Sequence, residues 1–353
     1  MTISTSPPRT APRLSIALGT FNGERYLPEQ LDSILRQTCQ PYEVVVGDDG
    51  SSDGTLEILE KFVAQCAFPV RVIRNEVNLH FTGNFMNIAS ECTGDYVVFC
   101  DQDDVWADTK LAELDASMRE QAADLYQHEG LVVDADGIPT GAKLPDHAEL
   151  RADPESPPYH QGSKGFAMTV RKTVIDEMLR DWDWGVYHEF RREFGSPLGH
   201  DQLVYAWCIG RPVVLISKPL THYRIHATNV TATQTMTGSW VQRLARRAKL
   251  IQFAEFNYQR QADKWAAEVV FMERMFPDPP RGIVQLSRYF REAAALWHAR
   301  AAVHDAHTSR GGRWRSFQEF RTMNRAVKLV PAFGRAALGK DLVLTLLRTV
   351  APG

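Results

Sequence analysis

The chain has 353 residues, 44% hydrophobic and 24% charged. That composition belongs to a globular protein with a large core, about two domains long, and excludes a disordered tail, a collagen-like repeat and a disulfide-stapled miniprotein. Forty Lys and Arg against forty-three Asp and Glu give a net charge of −3, which excludes a basic nucleic-acid coat.

Residues 1–12, rich in Ser, Thr and Pro, lack the apolar stretch of a signal peptide and read as a loose tail. Leu14–Leu18 is a short apolar run that ends at Gly19-Thr20 and reads as a strand. From Tyr26 to Gln37, Leu27, Leu31, Ile34 and Leu35 fall on one helical face. The β-branched run Val44–Val46 leads into Gly47-Asp48-Asp49-Gly50, and Asp53 suits the N-cap of a helix carrying Leu56, Leu59 and Val63. Val70–Ile73 is the next strand, Phe81–Ser90 a helix, and Tyr96–Cys100 a strand that runs into Asp101-Gln102-Asp103-Asp104. Strands alternating with helices predict right-handed βαβ units and a mostly parallel sheet. Three polar clusters, Thr20-Phe21-Asn22, Asp48-Asp49 and Asp101–Asp104, then sit at carboxyl ends of strands, where open α/β sheets bind ligands.

A loop-rich middle follows, with a turn at Asp134–Gly137 and a Pro-rich stretch at Asp153–Pro158. Gly165–Val170 and Val213–Ser217 read as strands and Val174–Leu179 as a helix; Gly199-His200-Asp201-Gln202 lies among them and Thr221–His226 after them. From about Thr235 the chain turns helical. Trp240, Leu244, Ala248 and Ile251 share one face, Pro277–Pro280 breaks the run, and Leu286, Tyr289, Phe290, Ala293 and Trp297 form another face. Arg310–Gly353 carries nine Lys and Arg against Glu319 and Asp341, a local charge of +7 that leaves −10 for the rest.

The five cysteines, Cys39, Cys66, Cys92, Cys100 and Cys208, are scattered without a CxxC pair, as expected of free thiols in a reducing compartment. No run reaches the roughly 18 apolar residues of a membrane span, so the expected location is the cytoplasm. Two carboxylates in a DxD at a strand end, Asp101 and Asp103, can face one cation, and such hard oxygen ligands suit Mg²⁺ or Mn²⁺. Neither a P-loop nor a GxGxxG follows the first strand.

Three blocks carry a family resemblance: LSIALGTFNGERYLPEQLDSILRQ from Leu14, EVVVGDDGSSDGT from Glu43 and GDYVVFCDQDDVW from Gly94. In this order and spacing they resemble the nucleotide-sugar glycosyltransferases of family 2, and more closely the rhamnosyltransferase-like branch, over roughly Leu14 to Thr231. The resemblance implies an α/β chain of GT-A fold, a Rossmann-like, mostly parallel sheet with flanking helices, over residues 13–234. Its nucleotide half is about 13–106 and its acceptor half about 107–234, and a helical, basic C-terminal extension takes up 235–353. It implies that Gly19, Thr20, Phe21 and Asn22 meet the nucleotide, that Asp49 contacts the base, and that Asp101 and Asp103 hold the metal and the ribose or diphosphate, with Asp104 an alternative ligand. His226 stands in a segment similar to the family's Y-R-x-H-x-x-N; it completes the metal shell or touches the diphosphate, or is a structural histidine. Arg224 reads as a diphosphate contact or an exposed arginine. Inverting transfer needs a base to take the proton of the attacking hydroxyl, and Asp201 matches it; the bare sequence also allows a helix cap there.

Two departures bear on sugar and acceptor contacts: Gln161–Lys164 replaces the more usual Gly-Cys-Thr, and His80 stands where relatives often have Gly. Trp106, Trp182 and Trp184 suit stacking on sugar rings or burial in the core. The implied activity is inverting transfer of a sugar, rhamnose the best match, with Mn²⁺ or Mg²⁺. The donor is a nucleotide-diphosphate sugar and the acceptor a hydroxyl of a cell-surface glycan or lipid-linked precursor. The alternative is a catalytically silent nucleotide-sugar or glycan-binding module recruited to the membrane surface. The basic tail reads as a peripheral element at the inner face of the membrane or as a cap with a solvated basic face. Nothing points to nucleic acid: no zinc, RNP or helix-turn-helix signature is present.

Overall fold

A computed structural model describes residues 11–145, 164–195, 198–226, 254–304 and 310–326, together with His147 and Leu150. The chain divides into two compact units, one made of residues 1–187, 196–229 and 280–282, the other of 188–195, 230–279 and 283–353.

The first unit begins with four parallel strands, each leading to the next through a helix. They are β1 (Leu14–Thr20), β2 (Glu43–Asp48), β3 (Val70–Arg74) and β4 (Tyr96–Cys100), with helices α1 (Leu27–Leu35), α2 (Thr55–Gln65) and α3 (His80–Glu91). Every residue of β2 and β4 is buried, and all but one of β1. Both sheet faces are covered, which is why these strands read as unbroken apolar runs. The chain continues through β5 (Val105–Trp106), α4 (Lys110–Glu120), β6 (Leu125–Val133), β7 (Pro139–Leu144), a 3₁₀ turn at Gly165–Ala167 and β8 (Met168–Arg171). Then come α5 (Lys172–Arg180), α6 (Trp184–Phe194), α7 (His200–Cys208) and β9 (Val213–Arg224). The nine strands form one sheet in the order β3-β2-β1-β4-β8-β6-β9-β5, with β7 on β6. Strand β8 is antiparallel to both β4 and β6, while β6 and β9 run parallel.

The elements up to β4 fall where the sequence places them, with local shifts. On α2 the buried residues are Leu59 and Phe62, and Val63 is 40% exposed. Asp53 lies one residue before the N-cap Gly54, and its Oδ1 accepts the N–H and hydroxyl of Thr55. The central strand β6 crosses the stretch read as loop-rich, because buried Gln127 and His128 interrupt its apolar pattern. Strand β9 runs far beyond Val213–Ser217. The register against β6 shifts around Glu129, opposite Pro219, the bulge at which a strand tolerates a proline. Gly165–Ala167 is a 3₁₀ turn rather than the start of a strand.

His80 has φ +55°, a left-handed backbone that suits the glycine which the family resemblance leads one to expect there. A non-glycine residue in the left-handed region costs about 1–2 kcal/mol, partly offset by the larger unfolded-state entropy of glycine. His80→Gly is expected to raise stability by about 0.5–1 kcal/mol, read as a higher urea midpoint at unchanged m. An unchanged or lower midpoint would contradict this.

The second unit contains α8 (Ala254–Met275), α9 (Arg281–His304) from its third residue on, and α10 (Arg310–Ala326), and Pro277–Pro280 separates the first two as expected. Leu286, Tyr289, Phe290 and Ala293 are buried on α9, with the Trp265 ring 4.8 Å from Phe290. Phe317 and Phe320 of α10 join Leu296 and Val303 in one apolar cluster. The face read at Trp240–Ile251 and the tail after residue 326 lie outside the described residues. Among the described residues no helix is long and apolar enough to cross a membrane. All five cysteines are free thiols.

Candidate functional site

The carboxyl ends of β1 and β2 are tied together by side chains. Thr20 is buried, and its hydroxyl donates to Asp48 Oδ1 at 3.2 Å; the other oxygen of Asp48 accepts the Ser51 N–H at 3.0 Å. Asp48 therefore shapes the turn, and Thr20 supports the strand end from inside. Gly19 is similarly inward: a Cβ there would lie 2.9 Å from the Phe85 ring. Phe21, 47% exposed, and Asn22 are the members of the first cluster that face outward. Asn22 sits at φ +47°, with its N–H on Ser51 Oγ and its Oδ1 accepting the Ser52 N–H. Asp49 is buried, and its Oδ1 accepts the Leu79 N–H at 2.6 Å and Asn75 Nδ2 at 2.9 Å. Its Oδ2 has no hydrogen-bond partner among the described residues.

After β4, the acidic loop is locked onto the end of β1. Gln102 accepts the Phe21 N–H at 2.9 Å and donates to the Phe21 carbonyl at 3.0 Å. The fit requires glycine at position 23, since a Cβ there would lie 2.3 Å from Gln102 Oε1. Asp103 Oδ2 is 2.8 Å from His226 Nε2, and the His226 ring lies 4.6 Å from the Tyr26 ring. Asp104 is turned inward and fully buried: Oδ1 accepts the Arg224 N–H at 3.1 Å, and Oδ2 is left without a hydrogen bond. The Asp101 carboxyl meets no protein donor among the described residues. Burial, then the charges of Asp103 and Asp201, push it up to about 7.

Asp201 stands in the first turn of α7 behind the N-cap Gly199, its Oδ1 accepting the Gln202 N–H at 2.9 Å. Burial pushes it up to about 6, opposed by Lys164 and by the Gly165 N–H. The 3₁₀ turn packs tightly here, since a Cβ on Gly165 would come within 3.0 Å of His200 Nε2 and 3.5 Å of Asp201 Cβ. His200 is itself a core residue, stacked on Phe85 at 4.0 Å, and burial pushes it down to about 3. The first turn of α7 is thus pinned by a neutral ring on one residue and offers a carboxylate on the next.

Two buried cations stand behind the site; the sequence carries no signal for Lys110 and offers Arg224 as a diphosphate contact or an exposed arginine. Lys110 is fully buried, with Nζ 3.1 Å from the Phe166 carbonyl and from Thr221 Oγ1, and 3.7 Å from the centre of the Trp106 ring. Burial lowers it to about 7, while Cys100, Asp104 and Asp101 pull it back up. Arg224 is neither a surface arginine nor open to a diphosphate: it is buried, with Nε on the Asp103 carbonyl at 3.0 Å. Of the tryptophans, Trp106 lies in the core under Lys110 and Trp182 is buried, whereas Trp184 is 36% exposed. A cavity of about 300 Å³ opens beside the loop, lined among others by Arg25, Tyr26, Gln102, Asp103 and His226.

Asp101 thus feels the charges of both Asp103 and Asp201, and His226 lies on Asp103. Among the described residues no three His, Cys, Asp or Glu side chains form a ready metal cage. The residues nevertheless fit a hard divalent cation: the Asp101 carboxyl is buried without a protein donor among the described residues and beside other carboxylates, and a cation's charge would offset both. Such ions are commonly held by one or two carboxylates while substrate phosphates and water supply the rest.

The sequence profile described as "Glycosyl transferase family 2" matches residues 15–141, the stretch that holds β1 to β4 and the acidic loop. Residues 15–141 belong to glycosyl transferase family 2. Relatives of this family 2 segment include the putative glycosyltransferase EpsE of Bacillus subtilis (strain 168), 30% identical over 168 residues, which cover 47% of this chain and 60% of EpsE. Another is the abequosyltransferase RfbV of Salmonella typhimurium, 35% identical over 115 residues, covering 32% of this chain and 34% of RfbV. The chain therefore spans less than two thirds of these relatives' lengths. In fold it resembles S. aureus TarS 1–349 in complex with UDP-GlcNAc, with TM-score 0.51 and 17% identity over 89% of this chain and 92% of that one. The fold is GT-A, a parallel-rich α/β sheet with helices after it.

Proposed function

We propose that the chain is an inverting, divalent-cation-dependent glycosyltransferase that moves a sugar from a nucleotide-diphosphate donor to a hydroxyl of a glycan or lipid-linked acceptor. The observation that carries this reading is that Asp101, in the loop after β4, feels the charges of both Asp103, which meets His226, and Asp201, in the first turn of α7. On this reading Phe21 and Asn22 face the nucleotide, with Gly19 and Thr20 shaping the strand end, and Asp49 offers Oδ2 to the base. Asp101, Asp103 and His226 hold Mn²⁺ or Mg²⁺, and buried Asp104 backs them through Arg224. A bound cation supplies neutralisation of the charge that develops on the leaving diphosphate.

Asp201 takes the proton of the attacking hydroxyl. A carboxylate raised to about 6 is a stronger base than an exposed one and is still ionised at neutral pH. The Gln202 N–H fixes the orientation of its carboxylate.

Similar proteins are named for or solved with different sugars: RfbV is named for abequose, and TarS has been solved with UDP-GlcNAc. The rhamnosyl resemblance makes dTDP-rhamnose the first donor to try. The apolar side of α10 packs within its own unit, which supports the cap reading for that helix. Contact with the inner face of a membrane then rests on its exposed Trp314, Arg315 and Arg321, and a cytoplasmic enzyme at that surface is the placement we propose.

The test is proton NMR of nucleotide sugars incubated with the protein and Mn²⁺. Release of nucleoside diphosphate, with a product of opposite anomeric configuration to the donor, is the expected result. Retained configuration, or no turnover of any donor with or without acceptor, overturns the proposal.

A further inference from the structure

Arg224 makes contacts that no role in sugar or phosphate binding accounts for. Its side chain is 3% exposed. Nε donates to the Asp103 carbonyl at 3.0 Å, one terminal nitrogen to the Ala135 carbonyl at 3.1 Å, and the other to the Glu29 carboxylate. The guanidinium lies 4.9 Å from the centre of the Tyr26 ring, and the backbone N–H holds Asp104 Oδ1. Tyr26 in turn lies against the His226 ring, which meets Asp103. Tyr26, Asp103, Ala135 and His226 are four walls of the 300 Å³ cavity, and all four are touched by Arg224 or stand two residues from it.

We infer that Arg224 is the positioning residue of the cation site: it sets the distance and angle between Asp103 and His226 from behind, without touching the ion or the donor. This rests on the proposed metal role of Asp103 and His226. The chemistry demands arginine. Three acceptors on different segments, the acidic loop, the turn after β6 and α1, are reached at once by one planar fork, and the same plane stacks on Tyr26. A lysine ammonium on its flexible stem reaches one or two of them and fixes no plane. Groups that orient metal ligands from behind commonly change metal affinity by about 10–100-fold when removed.

The experiment titrates Mn²⁺ into wild type, Arg224→Lys and Glu29→Gln, alone and with saturating UDP as probe. Free Mn²⁺ is read by electron paramagnetic resonance, and Tm and metal-free UDP affinity are measured in parallel. Glu29 is on the surface, 61% exposed, so Glu29→Gln keeps the test open even where Arg224→Lys fails to fold. The expected result is a rise in the Mn²⁺ Kd of about 10-fold or more for Arg224→Lys, and a smaller rise for Glu29→Gln. UDP affinity without metal stays within 2–3-fold. Folded variants that bind Mn²⁺ like wild type overturn the inference, as does an equal loss of Mn²⁺ and UDP binding, which marks a merely structural residue. A wild-type protein that binds no Mn²⁺ under either condition overturns the metal reading itself, a separate result.

Discussion

Asp201→Asn is expected to bind the donor within a few-fold of wild type and to lose about 10²–10⁴ in kcat, the range for removal of a general base. The substitution keeps the local geometry, because an amide oxygen also accepts the Gln202 N–H. It removes only the ability to take a proton. Two further readings separate a base from a helix cap. The wild-type rate should rise with pH through the ionisation of Asp201, which burial places at about 6; a bound cation moves this limb lower, and Asn abolishes it. Because the folded-state value lies above the usual 3.8, folding favours the protonated acid. Its contribution to stability is present below pH 3.8 and is lost as pH rises through about 6. Asp201→Asn should therefore be at least as stable as wild type at pH 8. A variant that turns over normally, or one whose only defect is a lower Tm, contradicts the assignment.

The second large effect concerns the cation. Asp103→Ala is expected to keep weak nucleotide binding without metal and to lose the gain in affinity that Mn²⁺ gives wild type, about 100-fold or more, measured by titration calorimetry with and without Mn²⁺. Asp103 is one of the charges that raise Asp101, so its removal relieves repulsion in the metal-free protein while taking away a proposed ligand and one partner of His226. Metal-dependent binding that survives Asp103→Ala would move the cation to Asp101 alone and leave the Asp103–His226 pair without its assigned part.

Much of the first unit was legible because β1, β2 and β4 are covered on both faces. Such strands are written as continuous Val, Ile, Leu and Phe, and each ends at a polar cluster that has no place in a core. That is how Asp49, Asp101 and Asp103 stood out. The same local reading failed where long-range packing decides. Strand β6 holds Gln127 and His128 in the interior, so its periodicity was that of no regular element. Strand β9 hides a bulge at Pro219, which in sequence reads as a strand end. The supports of the site were equally hidden. Gln102 sits in plain view inside the DxD, but its grip on Phe21 spans 81 positions. Lys110 looks like an ordinary surface charge, and Arg224 like a diphosphate contact or an exposed arginine; only the fold shows that each is buried against carbonyls from distant segments. Trp106 shows the reverse, since its side chain, free in the sequence to stack on a sugar, is enclosed beneath Lys110. Sequence marks the groups with chemistry to offer, whereas the groups that aim them are defined by contacts between segments far apart in the chain.

The central claim is that these carboxylates, with a divalent cation, form a nucleotide-sugar donor site. The most direct test is a thermal-shift panel of UDP, GDP, dTDP and their sugars, each with and without Mn²⁺ or Mg²⁺. A ligand that binds only the folded protein at about 100 times its Kd adds about 2.7 kcal/mol, enough for a shift of about 2–4 °C. The account predicts such a shift for one nucleotide, larger with its sugar attached, and dependent on the metal. No shift with any nucleotide, or the same shift in the presence of a chelator, would contradict it.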